Sequence, residues 1–307
     1  MKKHIIALAT VALGASCNAN AGVYGTAYLS LSQFSIEAQD PNDPNNVITD
    51  VSGLVQIDSG SRGTRDSAAY NGSGSSDQDQ SGSDPEYPAD ATLLCEGPDC
   101  GALGLTENTS TGLASHANNF SAADVEVSGS LLGGDAAGFT YADGGIDTDV
   151  FAEANSSATI GNQAIASTIN VAQTINIRFT ALVDLLVDAF ISQDVKNDNM
   201  IDAYAFASAS FSATLTPNGG VLAVAGAGGS WTDLASDTPG PDSLSFDQTF
   251  NYASDWFTIG PGTYSLNIEQ TSDVIIDQVR VIPEPSGLAL MGLSILGLGI
   301  AGRRKLK

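Results

Sequence analysis

The 307-residue chain sets 35 Asp and Glu against 11 Lys and Arg, a net charge of −24, and six of those cations (Lys2, Lys3, Arg303, Arg304, Lys305, Lys307) lie at its two termini. Between them only Arg62, Arg65, Arg178, Lys196 and Arg280 remain. That excludes nucleic acid and anionic lipid as partners of the body, because binding phosphates needs clustered cations. Some 260 residues, by rough count, suit one large β domain or two smaller ones.

In chain order, residues 1–21 read as a secretory signal peptide: Lys2 and Lys3, an apolar run from Ile5 to Leu13, and Ala19-Asn20-Ala21 as a small-x-small cleavage site ahead of Gly22. Cys17 raises a lipoprotein alternative, but Gly14 stands where a Leu-like residue is expected. Residues 22–58 predict two strands, Val23 to Ile36 and Val47 to Ile57, that pair into the main domain, with a loop over Asp40 to Asn46. Residues 59–119 are rich in Ser, Gly and Asp, with few large apolar side chains over 59–91, and predict a long loop region. Within it Cys95 and Cys100 bracket the turn sequence Glu-Gly-Pro-Asp, which in an oxidising compartment reads as a local disulfide.

Residues 120–282 predict an antiparallel β-sandwich. Ile175, Ile177, Phe179, Ala181 and Val183 fall on one face at period two, and Leu185 to Ile191 continues as a flanking strand or a helical turn. Tyr204 and Phe206 alternate with alanines, while Phe211, Ala213 and Leu215 follow the other parity, which predicts a bulge near 208–210. Turns at Pro217 to Gly220 and Gly260 to Thr263 separate the later strands. The run from Trp256 to Ile268 resembles the closing hairpin of jelly-roll-like domains, which gives a mainly β, jelly-roll-like sandwich as the expected fold.

The last segment, 283–307, begins Pro283-Glu284-Pro285, continues through the charge-free run 286–302 and ends with Arg303, Arg304, Lys305 and Lys307. As a helix the run spans roughly 25 Å, slightly short of a hydrocarbon core of about 30 Å, and the basic end keeps it cytoplasmic. Pro-Glu-Pro, apolar helix and basic cluster together resemble the PEP-CTERM sorting signal. The resemblance implies a Gram-negative host that makes exopolysaccharide, and cleavage near Pro283–Pro285 by exosortase, a membrane-embedded protease or transpeptidase. An ordinary C-terminal membrane anchor predicts the same topology without processing.

Chemistry in the body is sparse. His116 is its one histidine and has no recognisable nucleophile partner; no Gly-x-Ser-x-Gly elbow, zinc ligand set or phosphate loop occurs. The expectation is that the body is not an enzyme. Ca²⁺ is the candidate cofactor. The densest donor run holds Asp194, Asp198 and Asp202, although Lys196 interrupts it and the closing Glu of an EF-hand loop is missing. Asp40 to Asn46 and Asp143 to Asp149 are further donor runs, and all three also suit turns. Trp231 and Trp256 are the candidate sugar platforms. The reading is an exported protein, held at the inner membrane by its C-terminus and then released to the surface or matrix. Its role is structural or interactive, linked to exopolysaccharide or biofilm. A carbohydrate-binding module and a secreted two-carboxylate glycoside hydrolase are the alternatives.

Overall fold

Strict alternation builds the longest strands. In Ile175–Ile191 every odd-numbered side chain from Ile175 to Ile191 is buried, while the even-numbered ones face outward. The run after Val183 therefore continues as strand. This computed structural model describes residues 22–48, 51, 54–81, 89–108, 118–129, 136–147, 151–160, 166–198, 200–218, 220, 225–236 and 245–281. The signal segment 1–21 (with Ala19 and Ala21), His116, and the tail with its expected helix 286–302 lie outside the described residues. Among those described, no helix is long and apolar enough to cross a membrane.

The strands are β1 (Val23–Asp40), β2 (Asp43–Ile48), β3 (Val55–Tyr70), β4 (Ser73–Ser81), β5 (Ala89–Glu96), β6 (Phe120–Ser128), β7 (Ala136–Ile146), β8 (Ala152–Ile160), β9 (Ala166–Val171), β10 (Ile175–Ile191), β11 (Ile201–Pro217), β12 (Ala225–Ser236), β13 (Phe246–Ala253), β14 (Phe257–Ile259) and β15 (Gly262–Arg280). One short helix, α1 (Gln193–Asn197), joins β10 to β11. They form two antiparallel sheets. The first runs β13-β10-β1-β7-β6-β5, with β14 beside β10 and β2 beside β1; the second runs β12-β11-β15-β8-β3-β4, with β9 bridging β15 and β3. Face to face they make a sandwich whose core holds the inward residues of β1, β10, β11 and β15.

The two sheets approach closely along β1 and β7. A Cβ added at Gly25 would meet Val274 Cγ1 at 3.0 Å, and one at Gly144 would meet Ile276 Cδ1 at 3.1 Å. Opposite, β11 offers Ala203, Ala205, Ala207 and Ala209 to the core. A polar seam crosses this dry interior. Gln270 Nε2 donates to Leu29 O and to Thr140 Oγ1 (3.0 Å), and the Thr140 and Ser272 hydroxyls share a 2.8 Å bond. Such groups are tolerated inside because each has a partner.

Two expectations are corrected. The region 59–119 is not a long loop, since β4, β5 and most of β3 fall within it. Tyr70 pairs with Ser73 around Asn71-Gly72, both with positive φ (49° and 77°), the two-residue hairpin turn that matches strand twist. Polar side chains conceal these strands, because much of the β3–β4 hairpin is exposed and its inward positions include Thr64 and Asp66. The bulge is also not at 208–210. The register of β11 against β12 and β15 is unbroken, and Phe211, Ala213 and Leu215 share the buried parity of the preceding alanines. Tyr204 and Phe206 are the outward residues. A bulge does occur in β1, where Gln33 (φ 54°) lets both Leu31 and Phe34 face the core.

Candidate functional site

Strand β15 carries the chain to its sorting segment. It is paired along its whole length with β11, from Pro217↔Tyr264 to Ile201↔Arg280, and beyond Arg280 the Val281 N–H donates to Met200 O at 2.7 Å. At the other end of the chain, Ser192 N donates to Gly22 O at 3.0 Å. The α1 connection, residues 192–200, therefore contacts both Gly22, where the mature body is expected to begin, and Val281, where it hands over to the tail.

Asp194, Asp198 and Asp202 sit in and beside that connection. The Ser192 hydroxyl accepts from Val195 N as the helix cap. Asp198 Oδ1 accepts from Met200 N at 2.9 Å, an Asx turn, and Asp202 is exposed on β11. The Asp40–Asn46 run is built similarly, with Asp40 and Asp43 accepting from Asn42 N and Asn45 N. Asp143 is buried and accepts from Tyr141 Oη at 2.6 Å and Gly144 N at 2.8 Å. Among the described residues no group of three or more His, Cys, Asp or Glu side chains is placed to hold a metal ion.

The two tryptophans are not brought together. Trp231 lies between the sheets near their open edge, stacked on Phe211 (6.1 Å between centroids) and edge-on to Phe250 (6.0 Å). Trp256 lies half-buried between β13 and β14, with the Arg178 guanidinium 4.7 Å over its ring. Arg178 also pairs with Glu37 at 2.6 Å.

A polar cluster that local sequence does not reveal lies at the β5 edge. Asp79 and Asp77 of β4 accept from Asp90 N (3.1 Å) and Thr92 N (3.0 Å), so side chains of one sheet satisfy the free edge of the other. Burial, reinforced by the charges of Asp77 and Asp124, pushes the Asp66 carboxyl up to about 7. On β6, Ala123, Val125 and Val127 pack inward with Ala158 and Ile160 of β8. Phe120 and Ala122 face the other way, under the segment 97–108, whose Leu103 and Leu105 pack on them beside the bonded pair Cys95–Cys100. Asp124 shares that outer face and is 0 % exposed. Asn108 bridges two of the acids: its N–H donates to Asp124 Oδ2 at 2.7 Å and its Nδ2 to Asp90 Oδ2 at 3.0 Å. Burial first, then the charges of Asp90 and Glu107, push Asp124 up to about 7. The residues involved are separated by 16 and 18 positions, so the sequence carries no more local sign of the cluster than the paired acids Asp124-Val-Glu126 and Asp77-Gln-Asp79.

A family model for the PEP-CTERM protein-sorting motif matches residues 281–305. The match takes in Pro283, Glu284, Pro285, Arg303, Arg304 and Lys305 and begins at Val281, one residue after β15 ends. This motif is the exosortase recognition signal, and it implies export with a membrane-anchored C-terminus before processing. Comparison with curated proteins and with solved structures gives no match for the body.

Proposed function

We propose that this chain, which carries the PEP-CTERM motif, delivers a non-enzymatic, jelly-roll-like sandwich to the cell surface or extracellular matrix, where it serves a structural or interaction role beside exopolysaccharide. The observation that carries the reading is the motif's position. It starts where β15 leaves the sheet, so a cut near Pro283–Pro285 releases the folded body with all its strands. The α1 connection supports the same picture. It contacts both Gly22 and Val281, so a signal segment and an anchor that both enter the inner membrane would leave from one end of the sandwich. The high acidity of the body favours solubility and low adhesion to polyanions once released.

The test is mass spectrometry of the protein recovered outside the cell. The expected C-terminus falls within Pro283–Pro285, and Pro283→Ala/Glu284→Ala leaves the chain membrane-bound. Extracellular protein that retains Lys307 refutes the processing. A carbohydrate-binding role is the second reading, favoured by Trp256 alone of the two tryptophans, since Trp231 serves the core.

A further inference from the structure

Three oxygens at the 97–108 segment stand out: Asp90 Oδ1, Asn108 Oδ1 and Asp124 Oδ1 are all buried and have no hydrogen-bond partner among the described residues. They belong to groups already in contact, since Asn108 bonds the other carboxylate oxygen of both Asp90 and Asp124. We propose that Asp90, Asn108 and Asp124 bind a divalent cation, with the chemistry of Ca²⁺, beneath this segment. The donors are two carboxylates and an amide oxygen, hard ligands of the kind Ca²⁺ takes; backbone carbonyls and water complete its coordination. Among the described residues, soft or nitrogen-ligated metals find neither Cys thiolate nor His there, because Cys95 and Cys100 are bonded to each other.

The cation answers an electrostatic question that the protein alone leaves open. Asp90, Glu107, Asp124 and Glu126 crowd one patch, and the ion pair among the described residues, Arg178–Glu37, is on β10 and β1. Buried carboxylate oxygens without a partner are costly, and a bound dication supplies both the charge and the missing contacts. The site differs from the Asp194–Asp202 run. There Asp194 and Asp202 are exposed, and none of the three carboxylates has a buried oxygen without a partner among the described residues.

The experiment titrates Ca²⁺ into the exported protein after EGTA stripping, by calorimetry and by thermal melting, with Mg²⁺ in parallel. The expected result is one equivalent bound with a Kd of roughly 10⁻⁴ to 10⁻³ M, in the range of extracellular modules. Asp124→Asn and, in the segment itself, Asn108→Ala each weaken it at least about tenfold, whereas Asp198→Asn leaves it unchanged. Circular dichroism of Asn108→Ala separates lost binding from lost fold. No binding by the parent protein at several millimolar Ca²⁺, or binding that follows Asp198 and ignores Asn108 and Asp124, overturns the proposal.

Discussion

Asp66 gives a sharp test of how the two sheets meet. Its side chain on β3 is 1 % exposed, Oδ1 accepts from Asp77 N at 3.3 Å, and Oδ2 has no partner among the described residues. Burial first, then the charges of Asp77 on β4 and Asp124 on β6, raise it from the ordinary value of 3.8 to about 7. Between those values the folded protein holds a proton that the unfolded chain has released. Stability should therefore fall as pH rises from about 4 to about 7, and level off above. A difference of roughly three units is worth on the order of 4 kcal/mol once both states are ionised. Asp66→Asn keeps the Oδ1 acceptor and removes the charge. We expect little change at pH 4 and a gain of roughly 2–4 kcal/mol at pH 8. Urea unfolding in EGTA at a series of pH values reads this directly. Asp124 titrates in the same window, so the variant should flatten the slope by about half. A variant less stable than the parent at pH 8, or an increment equal at pH 4 and pH 8, refutes the assignment of a buried, proton-holding carboxyl.

Three further outcomes are expected. Cys95→Ser/Cys100→Ser opens a short cross-link, with residues five apart in sequence, and should cost about 2 kcal/mol in denaturant unfolding; an unchanged midpoint would show that the Leu103 and Leu105 contacts hold the segment by themselves. Trp231→Ala removes the ring wedged against Phe211 and Phe250 and should destabilise by about 3 kcal/mol. Trp256→Ala should cost about 1 kcal/mol or less, so only the latter is a clean probe of polysaccharide binding by sedimentation with the host polymer.

What the sequence displays is what is local. The period-two burial of Ile175–Ile191 can be read off its residues because its apolar side chains fall on one parity from end to end. The sorting segment is legible for a similar reason, being one contiguous motif. The β3–β4 hairpin is hidden because large apolar residues, the usual mark of a strand, are scarce in it; Asn71-Gly72 was its one strong sign. On β11 side-chain size misleads, because the outward Tyr204 and Phe206 are larger than the alanines that face the core, and the close approach of the second sheet explains the small side. Cation donors follow the same logic. Density along the chain selected Asp194, Asp198 and Asp202, where acidic residues shape a turn. The orphaned oxygens of Asp90, Asn108 and Asp124 are assembled from two strands and a connecting segment, so no window of sequence contains them.

The course of β15 has a mechanical consequence. A pull on the tail while the body is held at its far end would enter the fold at Arg280 and run lengthwise along a strand bonded to β11 on one side and to β8 and β9 on the other. Ladder bonds lie perpendicular to such a load, so they must be sheared as a group and cannot be peeled one at a time. The tether is thus attached to a strand held on both sides, and tension on it passes through the Pro-Glu-Pro segment while the sheet resists by shear.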